Sequence, residues 1–544
     1  MKQEKELKSD EPKETRIPTP FAVTENMIAE EIWDRKGKPK YVVRYFEKDE
    51  IEYADEIDSG TLDMDGKPVI YVPADGPALR KGLVILPREP VEGTFEEAFA
   101  LGVKLAHDIY DTSNGHTAEF DFLVAVAQAS WFLDRFIPDP SLQIAGMGHF
   151  APIVALRGPS GHGKNRALSA LRLNSYRPFY DQSTKRIPSL FRPLDTWRGT
   201  LCLDECDLGR SDEASEVVHY LNCRAYGTPI SRQNPDNPKE AQAFWNFGST
   251  IVTQRRAWDD DATENRTLPF LCERSQKNLA TTELDQWLTR GLEVQDRLLY
   301  LRMLYWQEVM IDKAARIPGL KDHRLTASVL PILALKPFAP DMVRGLEGIL
   351  KTLARRRQLV RAASSDGIVV NFLWEKLDAG LIGAHNGKLF VGASKTKSEK
   401  GRDEEVLPLQ IKQMAELFKW STRETRRIVS STQITPEDAP RHPIHTIEGT
   451  ARPIYFIPAK LEVLLADFVP DYEEGALAQR LAEAGFATLA TDATVHSPLY
   501  PGEEERGDTG ARTVASVASV ADTAMRPTVA SVANSETDKE EPKP

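Results

Sequence analysis

The hydrophobic rhythm of the chain changes several times along its length. From residue 22 to 90, apolar and polar positions alternate in short runs, "MIAEEIWD", "YVVRYFE" and "KPVIYVP", separated by the turn-forming "RKGKPK" and "MDGK". Alternation at period two between turn residues predicts strands, and so a small β domain. Over 91–150 the period lengthens. "TFEEAFALGVKLAHDIYD" and "AEFDFLVAVAQASWFLDRF" repeat apolar residues every three or four positions, as amphipathic helices do. Between 151 and 275, apolar runs too short for core helices ("APIVALRG", "GTLCLDECDL", "FGSTIVTQRR") alternate with helical stretches ("KNRALSALRL", "ASEVVHYLN"). Runs that are apolar on both faces fit buried parallel strands. Residues 276–362 are again strongly helical, and 363–470 mix helix with short strands.

The two ends read differently. Residues 1–21 are charged and proline-containing, and 471–544 are rich in Ala, Glu, Ser and Thr, so both are expected to be disordered. The tail repeats "TVASVAS" (513–519) as "TVASVAN" (528–534), a flexible segment or a docking element for a partner.

Composition narrows the picture. A chain of 544 residues with 41% apolar content is too long for one core and apolar enough for several. Its richest apolar stretch, 122–137, is interrupted by Asp134 and Arg135 and predicts a packed helix, not a membrane span. The opening "MKQEKELKSDEPKETR" has no apolar core of a signal peptide, so a cytoplasmic protein without a membrane partner is expected. Cys202, Cys206, Cys223 and Cys272 match no zinc spacing, and buried reduced thiols are expected of them over a metal site. The net charge of −12 means that any contact with nucleic acid must come from local basic patches.

Candidate chemistry concentrates at "RGPSGHGKNRAL", 157–168. An apolar strand, "IVAL", runs into Gly158, Pro159, Ser160, Gly161, His162, Gly163, Lys164 and Asn165, and a helix follows. This is the Walker A order, in which glycines let backbone N–H groups and a helix N-terminus face a phosphate while the lysine reaches the β- and γ-phosphates. The last position departs from the pattern. Asn165 stands where Ser or Thr normally ligates Mg²⁺, offering an amide oxygen instead. A working ATP site with weaker or altered metal dependence is expected, the alternative being a site that binds nucleotide and turns it over poorly. His162 is expected to be a solvent-facing spacer.

"GTLCLDEC" (199–206) ends an apolar strand in Asp204-Glu205, the Walker B form. Asp204 would hold the Mg²⁺ shell with Asn165, and Glu205 would polarise the attacking water. The 40 residues from Lys164 to Asp204 leave room for a strand between them in space. A third strand, Thr250 to Val252, carries polar Thr253 and Gln254 at its C-terminal end, where open α/β sheets present ligand-facing groups.

With "SLFRPLDTWRGTLCLDECDL" and "DATENR" added, the stretch 150–275 resembles AAA+ ATPases of the helicase-like branch. These include superfamily 3 helicases and the primase-associated helicases of viruses and mobile elements. The resemblance implies an α/β P-loop NTPase core (AAA+-like, parallel sheet) at 151–275. It also implies Thr253 or Gln254 as the sensor and Arg266 as the arginine that reaches a γ-phosphate, often a neighbouring subunit's. It further implies ATP and Mg²⁺ as cofactors, DNA (single-stranded or duplex) as a partner, a homo-oligomer with a hexamer favoured, and any primase as a separate protein. The function it implies is an ATP-hydrolysing helicase or translocase in replication of a mobile element or virus. The alternatives are an ATP-dependent DNA-binding initiator or regulator, or a structural protein with a degenerate loop.

Outside that core, "IKQMAELFKWSTRETRRIVSS" (411–431) fits a helix-turn-helix. Its first helix would bury Met414, Leu417 and Phe418, and a Ser421/Glu424 capping box would open the second. Arg423, Arg426 and Arg427 share a face of that second helix and are the DNA-binding candidates. "IHTIEGTARPIYFIP" (444–458) reads as two strands with a Gly-Thr turn, completing a C-terminal winged-helix domain that could equally serve protein contact. Arg355, Arg356, Arg357 and Arg361 form a second basic cluster, either for phosphates or as a solvated helix end.

Overall fold

Five short strands build one parallel sheet: β1 (Ile153–Arg157), β2 (Phe179–Gln182), β3 (Leu201–Asp204), β4 (Thr250–Gln254) and β5 (Thr267–Leu271), in the order β5-β1-β4-β3-β2. The structure is a computed structural model. It describes residues 14–136, 150–182, 188–206, 212–234, 241–277, 284–397, 404–436, 444–446 and 449–487, apart from 49, 64, 114, 259 and 321.

Alternate residues of the three central strands, β1, β4 and β3, enter different cores, as the pleat requires. Val154, Leu156, Cys202 and Ile251 pack with the helices Phe95–Ile109, Thr117–Ala129, Lys164–Asn174 and Leu284–Tyr305. Ile153, Ala155, Leu201, Leu203 and Val252 pack on the other side against Pro188–Trp197, Asp212–Tyr226 and the segment around Leu79–Leu86. The result is a three-layer, P-loop NTPase-like core. Between β3 and β4 lies an exposed antiparallel hairpin, Ile230–Gln233 with Ala241–Phe244.

The helical regions expected at 91–150 and 276–362 are not separate bodies, because their apolar stripes meet in the same core. Helix Phe95–Ile109 opens with a capping box, Thr94 with Glu97, that satisfies two N-terminal donors reciprocally. The N-terminal β region forms a four-stranded antiparallel sheet and a three-stranded sheet. It is joined to the core through a buried ion network. Glu30 accepts from Arg177, from Arg302 (2.7 Å) and from Tyr176 (2.9 Å), while Arg302 also grips Asp134. Asp134 and Arg135 thus interrupt the apolar run because they face this network and the carbonyls of 307–309.

Order extends further at both ends than the composition suggests. Thr15–Pro18 pairs parallel with Pro68–Val72, inside the segment expected to be disordered. Ala476–Glu483 is a helix whose Leu477 and Leu481 are buried. The tail repeat at 513–534 lies outside the described residues.

Residues 365–487 have a core of their own. It contains a three-stranded antiparallel sheet (Ile382–His385, Lys388–Lys397, Glu404–Pro408) and the helix pair Ile411–Phe418 and Thr422–Ser431. Three local expectations change there. Leu417 is 59% exposed and Ala415 takes its buried place beside Met414. Ser421 caps the second helix through Glu424 N–H, but the Glu424 carboxylate turns to Arg427, so no reciprocal box closes. The hairpin pairs Ile444–Thr446 with Gly449–Ala451, which puts Gly449-Thr450 in a strand and not in the turn.

Candidate nucleotide site

The loop after β1 turns through three left-handed glycines, Gly158, Gly161 and Gly163, the last being the N-cap of helix Lys164–Asn174. Gly158 has a second constraint: a Cβ there would sit 2.7 Å from the Cys272 carbonyl oxygen. Gly158 N–H donates to the Gln254 carbonyl (3.3 Å) and Cys272 N–H to that of Arg157 (2.6 Å), suspending the loop between β4 and β5. Lys164 folds back over the loop, its Nζ 2.7 Å from Gly158 O and 2.9 Å from Pro159 O. His162 is not a solvent-facing spacer. It is half-buried, with Nδ1 3.2 Å from Cys272 O, because the segment after β5 runs along the loop.

The strand order puts β4 between β1 and β3, in the room left by the sequence separation. Asp204 is 2% exposed, and its carboxylate meets four donors. Oδ1 accepts from the Thr253 hydroxyl (2.6 Å) and from Glu205 N–H (2.9 Å), and Oδ2 from Asn165 Nδ2 (2.9 Å) and the Tyr180 hydroxyl (3.2 Å). The Thr253 hydroxyl also accepts from Glu205 N–H at 2.8 Å. Glu205 itself is exposed and left-handed, with φ of 54°, a conformation that costs a non-glycine residue about 1–2 kcal/mol and that the bonds on its N–H hold. Gln254 is 2% exposed, with a buried side-chain amide nitrogen that has no hydrogen-bond partner.

Arg266 is not brought to this cluster. Its guanidinium stacks on Tyr226 (4.7 Å to the ring centre), and it bonds to Asn222 Oδ1 (3.2 Å), the Tyr226 hydroxyl (2.9 Å) and the Ala262 carbonyl. Ala151 N–H donates to Ala225 O, which sets Tyr226 at the start of β1, the opposite end of the strand from the loop. At roughly 3.3 Å per residue the two ends of such a strand are about 15 Å apart.

Among the basic candidates, Arg423, Arg426 and Arg427 are all exposed, because their helix packs through Thr425, Ile428 and Val429. Arg427 pairs with Glu424 (2.7 Å). In the second cluster Arg355 and Arg356 are exposed at the helix surface, while Arg357 and Arg361 are turned into tertiary contacts. Arg355 pairs with Asp471, Arg356 with Glu119, and Arg357 with Asp322 and the Thr267 carbonyl, while Arg361 reaches Asn265. Cys202, Cys206 and Cys272 are buried, and burial pushes the Cys202 and Cys272 thiols up to about 12. Among the described residues no helix is long and apolar enough to cross a membrane.

Sequence reasoning missed Tyr180, Tyr110 and Cys272 beside the loop. Tyr110 packs where a Cβ on Gly163 would fall, 3.2 Å away, and its hydroxyl accepts from Glu273 N–H. None of the three belongs to a motif. Tertiary packing puts them there: Tyr180 lies on β2, Cys272 just after β5, and Tyr110 at the end of helix Phe95–Ile109.

No family model matches the chain, and no curated protein matches it. Among solved structures it is similar to the C-terminal region of NrS-1, at 13% identity and a TM-score of 0.35 over 79% of this chain and 96% of that one. It is also similar to SCCmec type IV Cch, described as an active helicase, at 11% identity and a TM-score of 0.32 over 80% and 96%. A third is the JCV helicase, at 14% identity and a TM-score of 0.22 over 39% and 60%.

Proposed function

We propose that the chain is an ATP-hydrolysing DNA helicase or translocase of the AAA+/superfamily 3-like kind, working in replication of a virus or mobile element. The observation that supports this best is the convergence of Lys164, Asn165, Asp204, Thr253 and the Glu205 backbone at the C-terminal ends of three adjacent strands.

The residues suit a Mg²⁺–nucleotide. A loop kept open by glycines where side chains would clash offers backbone N–H groups to phosphates, and Asn165 and Asp204 supply the hard oxygens a divalent cation takes. The cation, when bound, neutralises charge developing on the transferred phosphoryl group. Lys164 gives its ammonium to the β- and γ-phosphates, and Glu205, exposed at the mouth of the site, takes the proton of the attacking water. Thr253 orients the acidic pair. Gln254, with its unpartnered amide, is the second sensor candidate.

Arg266 lies a strand's length from its own loop, so in this reading it serves a neighbour's γ-phosphate. That requires a head-to-tail ring, with a hexamer favoured. Arg423, Arg426 and Arg427 form the DNA surface of a winged helix. Lys164→Ala is expected to abolish ATP binding, and Glu205→Gln to keep it while hydrolysis falls by orders of magnitude. Equal hydrolysis by Glu205→Gln and the parent would overturn the acidic-pair assignment. ATP turnover that single-stranded DNA does not stimulate, with no strand displacement, would make the protein an initiator or regulator.

A further inference from the structure

An ionised carboxylate has about four lone-pair positions, two on each oxygen. Asp204 has a protein donor on each: Thr253 and Glu205 N–H on Oδ1, Asn165 and Tyr180 on Oδ2. A carboxylate filled in this way can turn to the water shell of a cation only if one donor yields. Three of the four are poorly placed to do so. The Thr253 hydroxyl is buried, makes the shortest bond at 2.6 Å, and also holds Glu205 N–H. Glu205 N–H is backbone. Asn165 lies in the first turn of the helix that opens at Gly163; its Nδ2 donates to Asp204, and in the nucleotide-site reading its Oδ1 would serve the cation.

Tyr180 is different. It makes the longest of the four bonds, 3.2 Å, from a half-buried side chain on β2, the edge strand of the sheet. Its backing comes from the N-terminal region. Tyr180 N–H donates to Leu83 O (2.8 Å), and the Arg172 guanidinium lies 4.9 Å from its ring centre while bonding to the carbonyls of Gly82 and Leu83.

We propose that Tyr180 is a positioning residue that gates divalent-cation binding. Its hydroxyl occupies the Asp204 oxygen that the cation's water shell needs, and the segment 82–83 sets how readily it yields. This rests on the nucleotide-site reading above. The gate belongs to this chain's combination of Asn165 with Tyr180, since the two share one carboxylate oxygen.

The test is binding, not turnover. A fluorescent ATP analogue is titrated onto the full chain and onto Tyr180→Phe, first in EDTA and then at rising Mg²⁺. Mn²⁺ binding in the presence of ATP is followed by electron paramagnetic resonance. Tyr180→Phe is expected to bind the analogue in EDTA within about twofold of the parent. Its half-saturating Mg²⁺ and Mn²⁺ concentrations should fall by about three- to tenfold, the effect of losing one competing hydrogen bond of ordinary net strength, as its 3.2 Å length befits. Unmoved or raised cation midpoints with nucleotide binding intact would overturn the gate and leave the nucleotide site standing. A parent that binds no nucleotide would overturn both. Weakened binding in EDTA with unmoved midpoints would make Tyr180 a structural support of the loop and not a gate.

Discussion

Replacing Thr253 with valine keeps a β-branched side chain in a fully buried position and removes one hydroxyl. That hydroxyl donates to Asp204 Oδ1 at 2.6 Å and accepts from Glu205 N–H at 2.8 Å. Loss of the bond to the carboxylate costs ~1.5–3 kcal/mol, as hydrogen bonds to charged groups do. Glu205 N–H is not orphaned, because Asp204 Oδ1 still accepts from it at 2.9 Å, so no further desolvation penalty is added. The effect on chemistry comes through Glu205. Its left-handed backbone is held by two acceptors, and with one gone the strained conformer and the aim of the carboxylate are both less populated. A loss of ~1.4–2.8 kcal/mol in that population corresponds to a kcat lower by about 10- to 100-fold. Lys164 and the glycine loop are untouched, so the ATP dissociation constant should stay within about threefold. Phosphate release and equilibrium binding of a fluorescent nucleotide measure the two separately. A kcat within twofold of the parent would refute the positioning role. A fall in affinity as large as the fall in kcat would show that Thr253 acts through the loop instead.

Glu31 is 1% exposed, and burial raises its carboxyl from 4.5 to about 7 against the opposing Ala74 N–H and Arg177. Below pH 4.5 it is protonated folded or unfolded. As pH climbs from 4.5 to 7 only the unfolded chain releases the proton, so stability falls by up to ~3 kcal/mol and then levels. Urea midpoints of Glu31→Gln between pH 5 and 8 should lack that fall, and an unchanged slope would remove Glu31 as its cause. Replacing Arg423, Arg426 and Arg427 together with alanine should weaken DNA binding and flatten its salt dependence, by about one released counterion for each phosphate left unneutralised. Equal affinity at two salt concentrations would assign the helix to protein contact. Arg266→Ala should bind ATP without hydrolysing it and regain activity when mixed with Glu205→Gln, because one mixed interface then carries both groups. No recovery after confirmed subunit exchange would place Arg266 outside a shared site.

The sequence by itself determined what local chemistry can dictate. Short runs apolar on both faces pointed to buried strands, and Gly158, Gly161 and Gly163 with Lys164 to a turn opening a helix, because each signal is carried by neighbours in the chain. Even the room for a strand between β1 and β3 followed from a count of residues. Tertiary structure decided everything that depends on residues far apart. Asp204 shares its oxygens with Asn165, 39 positions away, and Thr253, 49 positions away, and no spacing rule specifies such a meeting. Asp134 looked like an interruption until Arg302, 168 residues on, supplied its partner. Leu417 looked like core and is exposed, because helical period identifies an apolar stripe but not which edge of it a neighbour covers. Of the arginines at 355–361, Arg355 and Arg356 lie at the surface as a charge run would, while Arg357 and Arg361 are tertiary ties. A guanidinium's reach of several ångströms lets it find carboxylates and carbonyls that only folding brings near.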